Sequence, residues 1–270
     1  MPLPTPARCA FAVLLVATGI AAAAPSTSVY LEDLTWTELR DRIAAGSITV
    51  LLPIGGTEQS GPHMALGKHN QRVRVLAGRI AEKLGHAVVA PVVAYVPEGN
   101  VNPPSEHMRY AGTISIPEAA FKGVLQGAGV SFRQHGFLDV VYLGDSGNYP
   151  GPLREVAATL NRAWAGSSAR AHFVSEYYQA AQAPYRQALR ERGLSEAQMG
   201  MHAGAADTAL LMALNPAGVR PALMARDARE AAAQGVSGEP RLATAELGQL
   251  GVELIVTRSV AAIRKATERR

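Results

Sequence analysis

The chain has 270 residues, of which 48% are hydrophobic, enough for one large or two small domains with a sizeable core. Its formal net charge is only +4, and its basic residues are scattered apart from a few at the C-terminus. This pattern offers no basic patch, so we expect no nucleic-acid partner.

The N-terminal segment has the pattern of a secretory signal peptide. Arg8 precedes an almost wholly apolar stretch, Cys9–Ala24, which ends in small residues and is short for a membrane span. We expect a signal peptide over residues 1–23, a single domain over residues 24–270, and a periplasmic or secreted protein without membrane attachment. Cleavage would remove the only cysteine, which excludes disulfides, thiolate metal sites and a cysteine nucleophile from the mature chain.

Strand and helix patterns alternate along the rest of the chain. Apolar runs predict buried strands at Thr49–Ile54, Ala87–Tyr95, Leu138–Leu143 and Ala171–Val174. Helical spacing and turn residues predict helices at Arg72–Leu84, from Pro117 to near Gly136, from Gly204 to Asn215, and from about Leu242 onward. Pro97–Thr113 is predicted to be a long loop, and Arg220–Arg241 to be irregular. The alternation predicts one three-layer α/β/α domain with a mostly parallel sheet.

Polar residues cluster where predicted strands end or helices begin. The clusters are Glu58 to Asn70, Asp145 to Asn148 and His202 to Asp207, and the long loop adds Glu106 and His107. In an open α/β sheet, ligands bind beyond the carboxyl ends of the strands, so these segments should meet in one cleft. Carboxylates and imidazoles suit zinc, manganese or iron.

Each of these residues also has a simpler structural explanation when it is taken alone. His69 could be an ordinary residue of a first helical turn, and Asp145 a turn former. Asp207 could be an acid favoured by the dipole at a helix N-terminus. Their joint placement is what indicates a site.

Five motifs resemble those of the creatininase (creatinine amidohydrolase) family of metal-dependent amidohydrolases. The family's Gly-Ser/Gly-Thr-Glu-Gln-His-Gly-Pro-His is similar to Gly56–His63, and its Ser-x-Glu-His loop to Ser105–His107 with Ala111–Thr113. Its His-Gly-Phe, Asn-Gly-His and His-Ala-Gly motifs resemble His135–Phe137, Leu143–Asn148 and His202–Ala209. The similarity runs from about Val50 to Arg264 in the family's order. It implies a creatininase-like fold, a small-molecule substrate and the family's homo-oligomeric assembly.

The resemblance also implies a metal site, with two departures. Family members bind two metals, the first through a Glu, an Asp and a His, at positions held here by Glu58, His69 and Asp145. Asp and His have therefore exchanged places, and two carboxylates and one imidazole remain. We expect these three residues to bind one divalent metal, zinc first, with manganese or iron as alternatives.

The ligands of the second metal are missing from the matching positions. Ser60 stands where the family has a His, and Gly147 where some members have an acid. A neutral imidazole at residue 69 cannot bridge two cations ~3.5–4 Å apart as a carboxylate does. We therefore expect one metal rather than two.

The remaining histidines and Asp207 receive roles by the same resemblance. His202 matches the family residue implicated in proton transfer, and Asp207 is either a fourth ligand or the base. His63 and His107 are expected to support their neighbours or to be structural. His86, His135 and His172 are expected to be structural.

The sequence thus predicts an exported metal-dependent hydrolase. A metal-activated water would cleave a C–N bond, such as a cyclic or linear amide other than a peptide, in a small molecule. One alternative is a non-catalytic binding protein on the same fold, with a decayed two-metal site. The other is a lactonase-type hydrolase, because this mechanism does not itself select nitrogen over oxygen.

Overall fold

The computed structural model describes Met1 and residues 26–268 of the chain. Apart from Met1, the predicted signal peptide lies outside the described residues, so its prediction is not tested. No helix among the described residues is both long and apolar enough to cross a membrane.

Four parallel strands form the sheet, in the order β2-β1-β3-β4. Their bounds are β1 Thr49–Ile54, β2 Ala87–Val89, β3 Asp139–Gly144 and β4 Arg170–Phe173. The central strands β1 and β3 are buried along their whole length, and they pair in register from Thr49 with Asp139 to Ile54 with Gly144. Their carboxyl ends therefore stop side by side at one edge of the sheet.

Helices cover both faces of the sheet. The α-helices are α1 Trp36–Ala44, α2 Lys68–Leu84, α3 Glu118–Gln134, α4 Pro150–Ala163, α5 Glu176–Ala181, α6 Ala183–Arg190, α7 Glu196–Met199, α8 Ala205–Leu214, α9 Ala228–Ala233 and α10 Ala245–Thr267. Alternate strand residues face opposite ways: Leu51 packs with α2, α5, α8 and α10, whereas Val50 and Leu52 pack with α3 and α4. This confirms the predicted three-layer α/β/α arrangement with a parallel sheet.

The structure differs from the predicted elements in three places. The second strand stops at Val89, with Pro91 just beyond it, because proline has no N–H to donate to a neighbouring strand. Helix α2 begins one turn earlier than predicted, at Lys68. The segment predicted to be irregular contains α9, and a third apolar cluster, which includes Met64, Ala231 and Val236, packs it against the domain.

Candidate functional site

The turn after β1 brings Glu58 to the carboxyl edge of the sheet. Gly56 in this turn has a φ of +142°, and a Cβ there would lie 2.6 Å from the hydroxyl of Tyr149 and 2.8 Å from a carboxylate oxygen of Glu98. Only glycine fits both the backbone conformation and the space. Asp145 follows β3 directly, so Glu58 and Asp145 reach the same cleft from neighbouring strands.

The first turn of α2 faces this cleft with three basic side chains. Lys68, His69 and Arg72 are only 1%, 5% and 5% exposed. Lysine and arginine are rarely buried to this degree unless they are paired with opposite charges. Here both are paired, and their partners are carboxylates of the cleft.

His69 lies between the two acids with which it was predicted to bind a metal. Its Nε2 is 2.8 Å from Glu58 Oε1, and its Nδ1 is 2.7 Å from Asp145 Oδ2. The three predicted ligands are therefore brought together, but they contact one another directly and both ring nitrogens are engaged. Their assignment as metal ligands stays a prediction.

Asp145 is further occupied by donors on its other sides. Arg72 contacts Asp145 Oδ2 through Nε at 2.9 Å and Nη2 at 2.7 Å, and the Tyr177 hydroxyl donates to Oδ1 at 2.7 Å. Burial opposes ionisation of Asp145, but Arg72 and His69 outweigh it and hold the pKa of the carboxyl below its usual value. We name the group formed by Glu58, His69, Arg72 and Asp145 the closed side of the cleft.

Asp207, in the first turn of α8, joins the same network. Its Oδ2 is 3.1 Å from Lys68 Nζ, and its Oδ1 is 2.8 Å from Arg72 Nη1. Burial would raise the pKa of Asp207, but Lys68 and Arg72 keep it well below its usual value. Lys68 Nζ also lies 3.5 Å from Glu58 Oε1, so the lysine stands between two carboxylates.

Glu58 also faces two histidines, and this second group is a possible metal-binding triad. Glu58, His107 and His202 each offer one ligand atom, and these atoms all lie within 4.8 Å of one another. Glu58 Oε2 is 3.5 Å from His107 Nε2, and Oε1 is 3.8 Å from His202 Nδ1. We name these three residues the open side of the cleft. His107 had been expected to be supporting or structural.

The protonation state of His202 suits a metal ligand. Its Nε2 lies 2.9 Å from the carbonyl oxygen of Gln59, which can only accept, so Nε2 carries the proton and Nδ1 keeps its lone pair. Burial, followed by the charge of Lys68, lowers the pKa of His202 to about 3, so the ring is neutral at neutral pH. Such a hydrogen bond to the far nitrogen is the usual way in which proteins orient a metal-binding imidazole.

The side chain of Gln59 determines which ring nitrogen of His107 carries the proton. Gln59 Oε1 accepts from the Gly61 N–H at 2.9 Å, while Nε2 lies 3.2 Å from the Gly235 carbonyl and 2.9 Å from His107 Nδ1. The amide therefore donates to Nδ1, which leaves the ring proton on Nε2. Binding a cation through Nε2 requires this amide to turn over and accept from Nδ1. That change costs the amide its hydrogen bonds to Gly61 and Gly235. Once it is made, the carboxylate and the two imidazoles of the open side offer three ligands to one divalent cation.

A second buried glutamate, Glu98, lies next to Glu58. Glu98 is 1% exposed, and it accepts hydrogen bonds from the Tyr149 hydroxyl and from Asn148 Nδ2. Burial, followed by the charge of Glu58, raises the pKa of Glu98 to about 7. The sequence analysis did not identify Glu98, although it follows the end of the predicted strand Ala87–Tyr95, because it was counted only as part of the long loop Pro97–Thr113.

Both sides of the cleft open into one cavity of about 220 Å³. Its wall includes Lys68, Tyr178, Arg186 and Met201 besides the residues already described. The other histidines lie outside this wall: His63 contacts Thr208, His86 contacts a backbone carbonyl, His172 contacts Asp139, and His135 is exposed at the end of α3. The cavity is of a size for a small molecule rather than a folded protein.

Comparison with known sequences gives matches over most of the chain. A sequence model of the family named Creatininase, described as "Creatinine amidohydrolase", matches residues 32–263. The "Creatinine amidohydrolase" of Pseudomonas putida is 28% identical over 198 residues, which cover 71% of this chain and 74% of that protein. A "Mycofactocin precursor peptide peptidase" of Mycolicibacterium smegmatis is 41% identical over 81 residues, which cover 28% of this chain and 30% of that protein.

Solved structures of metal-containing proteins are similar across nearly the whole chain. One is a mutant creatininase described as "Zn-Zn type", with a TM-score of 0.75 and 25% identity, covering 90% of this chain and 100% of that chain. Another, "Creatininase Mn", has a TM-score of 0.74 and 25% identity over the same shares. These neighbours have metal ions bound, and this chain shares their fold.

Proposed function

The chain belongs to the creatininase family, and we propose that it is an exported hydrolase that cleaves a C–N bond of a small molecule, with one metal ion at the open side of the cleft. The observation that carries this proposal is the approach of Glu58, His107 and His202, whose ligand atoms lie within 4.8 Å. The signal-peptide pattern supports export, and the size of the cavity supports a small substrate.

A divalent cation held by Glu58, His107 and His202 would make a water molecule more acidic and polarise a carbonyl group. Neighbouring residues of the chain set the charge of Glu58 and the orientation of the histidines. His69 and Lys68 outweigh the effect of burial and hold the pKa of Glu58 well below its usual range, so the carboxylate is charged. The Gln59 carbonyl orients His202, and the Gln59 side chain contacts His107.

Lys68 lies within the wall of the cleft. An ammonium group has three donors, and two of them face Asp207 and Glu58. The third would be available to the carbonyl oxygen of an amide, on which negative charge develops as water adds. Proton transfer to the leaving nitrogen by His202 or Asp207 stays a prediction from the sequence.

The test is a screen of the mature chain against small cyclic amides, linear amides and lactones, with zinc supplied. We expect turnover of an amide, and we expect His202→Asn to lower it by roughly 10²–10⁴-fold. Loss of metal from this variant would support His202 as a ligand, whereas retained metal would contradict the open side as proposed and would favour His202 as the proton-transfer group. His135→Asn, which changes an exposed histidine, is the control.

The closed side favours a second candidate, a non-catalytic binding protein on the same fold. Its carboxylates are already matched by cations of the chain, as would suit a cleft that only holds a ligand. A chain that binds the amides, as shown by a raised melting temperature, but hydrolyses neither amides nor lactones would establish this function and overturn the hydrolase proposal. Turnover of lactones alone would establish the lactonase alternative.

A further inference from the structure

We propose that Lys68 and Arg72 are a built-in replacement for a second metal ion, so that this cleft accepts one metal at most. This inference concerns the ion content of the cleft, and it holds whether or not the chain proves to be a hydrolase. It starts from a contrast with a structural neighbour, which is described as a Zn-Zn type and therefore carries two divalent cations.

The cleft contains three closely spaced acids that would otherwise need external cations. Glu58 and Asp145 lie on opposite sides of His69, and Asp207 approaches from the start of α8. Unpaired carboxylates in a buried place are strongly unfavourable, so such a cluster requires positive charge from the chain or from bound ions.

The chain supplies this charge from the first turn of α2. The Arg72 guanidinium contacts Asp145 at 2.7 Å and Asp207 at 2.8 Å, so it bridges two of the acids. The Lys68 ammonium contacts Asp207 at 3.1 Å and Glu58 at 3.5 Å, so it bridges a different pair. Each acid is thereby in contact with at least one basic side chain of the chain itself.

The positions that would supply ligands to a second metal carry weak or already engaged groups. A Cβ at Gly147 would lie 2.8 Å from the Tyr178 hydroxyl, so that residue offers neither a ligand nor the space for one. Ser60 is fully buried, and its hydroxyl makes no hydrogen bond to the described residues. His69 has both nitrogens on carboxylates and offers no lone pair to a cation.

The two internal cations also have consequences for the metal at the open side. Lys68 contacts Glu58, the acid shared by both sides, so a second divalent cation near Glu58 would meet the repulsion of this ammonium. One cation, held by Glu58, His107 and His202, leaves every contact of Asp145 and Asp207 in place.

The experiment counts zinc ions per chain by equilibrium dialysis and elemental analysis of the metal-stripped mature protein. We expect one zinc in the unmodified chain. Lys68→Met removes the charge but keeps much of the length of the side chain. It leaves Glu58 and Asp207 without the ammonium that they share, so a zinc ion should take its place between them, and the variant should bind one zinc more than the unmodified chain. Lys68→Arg keeps the charge and should leave the count unchanged, as should Lys83→Met, which changes an exposed lysine of the same helix.

The outcomes separate this inference from the proposed function. Two zinc ions in the unmodified chain would overturn the inference, and so would a Lys68→Met count equal to that of the unmodified chain. No zinc in the unmodified chain would overturn the metal at the open side, while a gain of one in Lys68→Met would still support the replacement. Should Lys68→Met not fold, Lys68→Gln provides the same comparison with a neutral polar side chain. If either variant folds only when zinc is present, this counts as the gain of a zinc ion.

Discussion

The open and closed sides of the cleft share Glu58, yet they are prepared for different tasks. On the closed side, His69 and Arg72 take up the acids at distances of 2.7–2.9 Å. On the open side, the histidines stand 3.5 Å and 3.8 Å from Glu58, which leaves room for a cation between them. One carboxylate is thus shared by a region whose acids are paired within the chain and a region that we propose is completed by a bound ion.

The largest effect should come from Glu58→Gln, because Glu58 is the only residue that both sides use. We expect its zinc content to fall to background and its turnover to be abolished, since two imidazoles alone are too few protein ligands for a catalytic site. Elemental analysis and the amide assay measure both effects. Glu253→Gln on the exposed face of α10 is the control. A Glu58→Gln variant that keeps its zinc would contradict the open side as defined.

Arg72→Met should destabilise the protein through the closed side, and it changes no residue of the open side. It leaves Asp145 and Asp207 without a shared cation, and breaking a buried ion pair in this way costs about 3–5 kcal/mol of unfolding free energy. Urea unfolding of the metal-free chain measures this loss. Arg229→Met, at an exposed arginine, should change nothing.

The pH dependence of the Arg72→Met effect follows from the lowered pKa of Asp145. A group whose pKa is lower in the folded state contributes stability above its unfolded pKa, which for Asp is about 3.9. The difference between the unmodified chain and the variant should therefore be complete at neutral pH and should shrink as the pH falls below about 4. A difference that grew in acid would show that Arg72 acts through another group.

Tyr177→Phe should weaken the closed side to a smaller extent. It removes the hydroxyl that donates to Asp145 Oδ1 at 2.7 Å, and a hydrogen bond to a charged group contributes about 1.5–3 kcal/mol. Its unfolding free energy should fall by this amount, whereas its zinc content should stay at that of the unmodified chain. Tyr95→Phe, which removes an exposed hydroxyl, provides the comparison. A loss of zinc with Tyr177→Phe would mean that the two sides are not separate.

The smallest expected effect concerns the hydrogen-bond partner of His107 on the open side. Gln59→Glu would place a carboxylate next to His107 Nδ1, where it accepts the ring proton and frees Nε2 for a cation. Partners of this kind change metal affinity by about 10–100-fold, and we expect tighter zinc binding at the low end of this range because Glu also loses the bond to Gly235. Zinc titration against a competing chelator measures it. Weaker binding would show that His107 does not use Nε2.

The sequence predicted the framework of the cleft better than its charges. The apolar runs of β1 and β3 and the turns after them correctly placed Glu58 and Asp145 at one edge, because parallel strands end together. Lys68 and Arg72 were missed, because basic residues at the start of a helix are ordinarily exposed to solvent. The available signal was their spacing: residues 68, 69 and 72 share a face of α2 with Val73 and Leu76, which are buried.

The sequence placed His107 among the segments of the cleft but not as a ligand, and it missed Glu98, for a different reason. Both belong to the loop between β2 and α3, whose course depends on distant contacts. Thr113 accepts from the Gln59 N–H, and Ser115 accepts from the Glu98 N–H, so the path of the loop is fixed by side chains and not by periodicity. A pattern of apolar residues contains no information about such contacts.

The pairing of Lys68 and Arg72 with the acids of the cleft also bears on how the chain reaches its folded state. A cluster of carboxylates that depends on an external ion cannot close until that ion arrives, so folding is then tied to the supply of metal. Here the counter-charges are part of α2, and they enter the core together with the helix. If the chain is exported, as we propose, it would fold in its new compartment with neither an oxidant nor a metal ion, since it has no cysteine beyond Cys9.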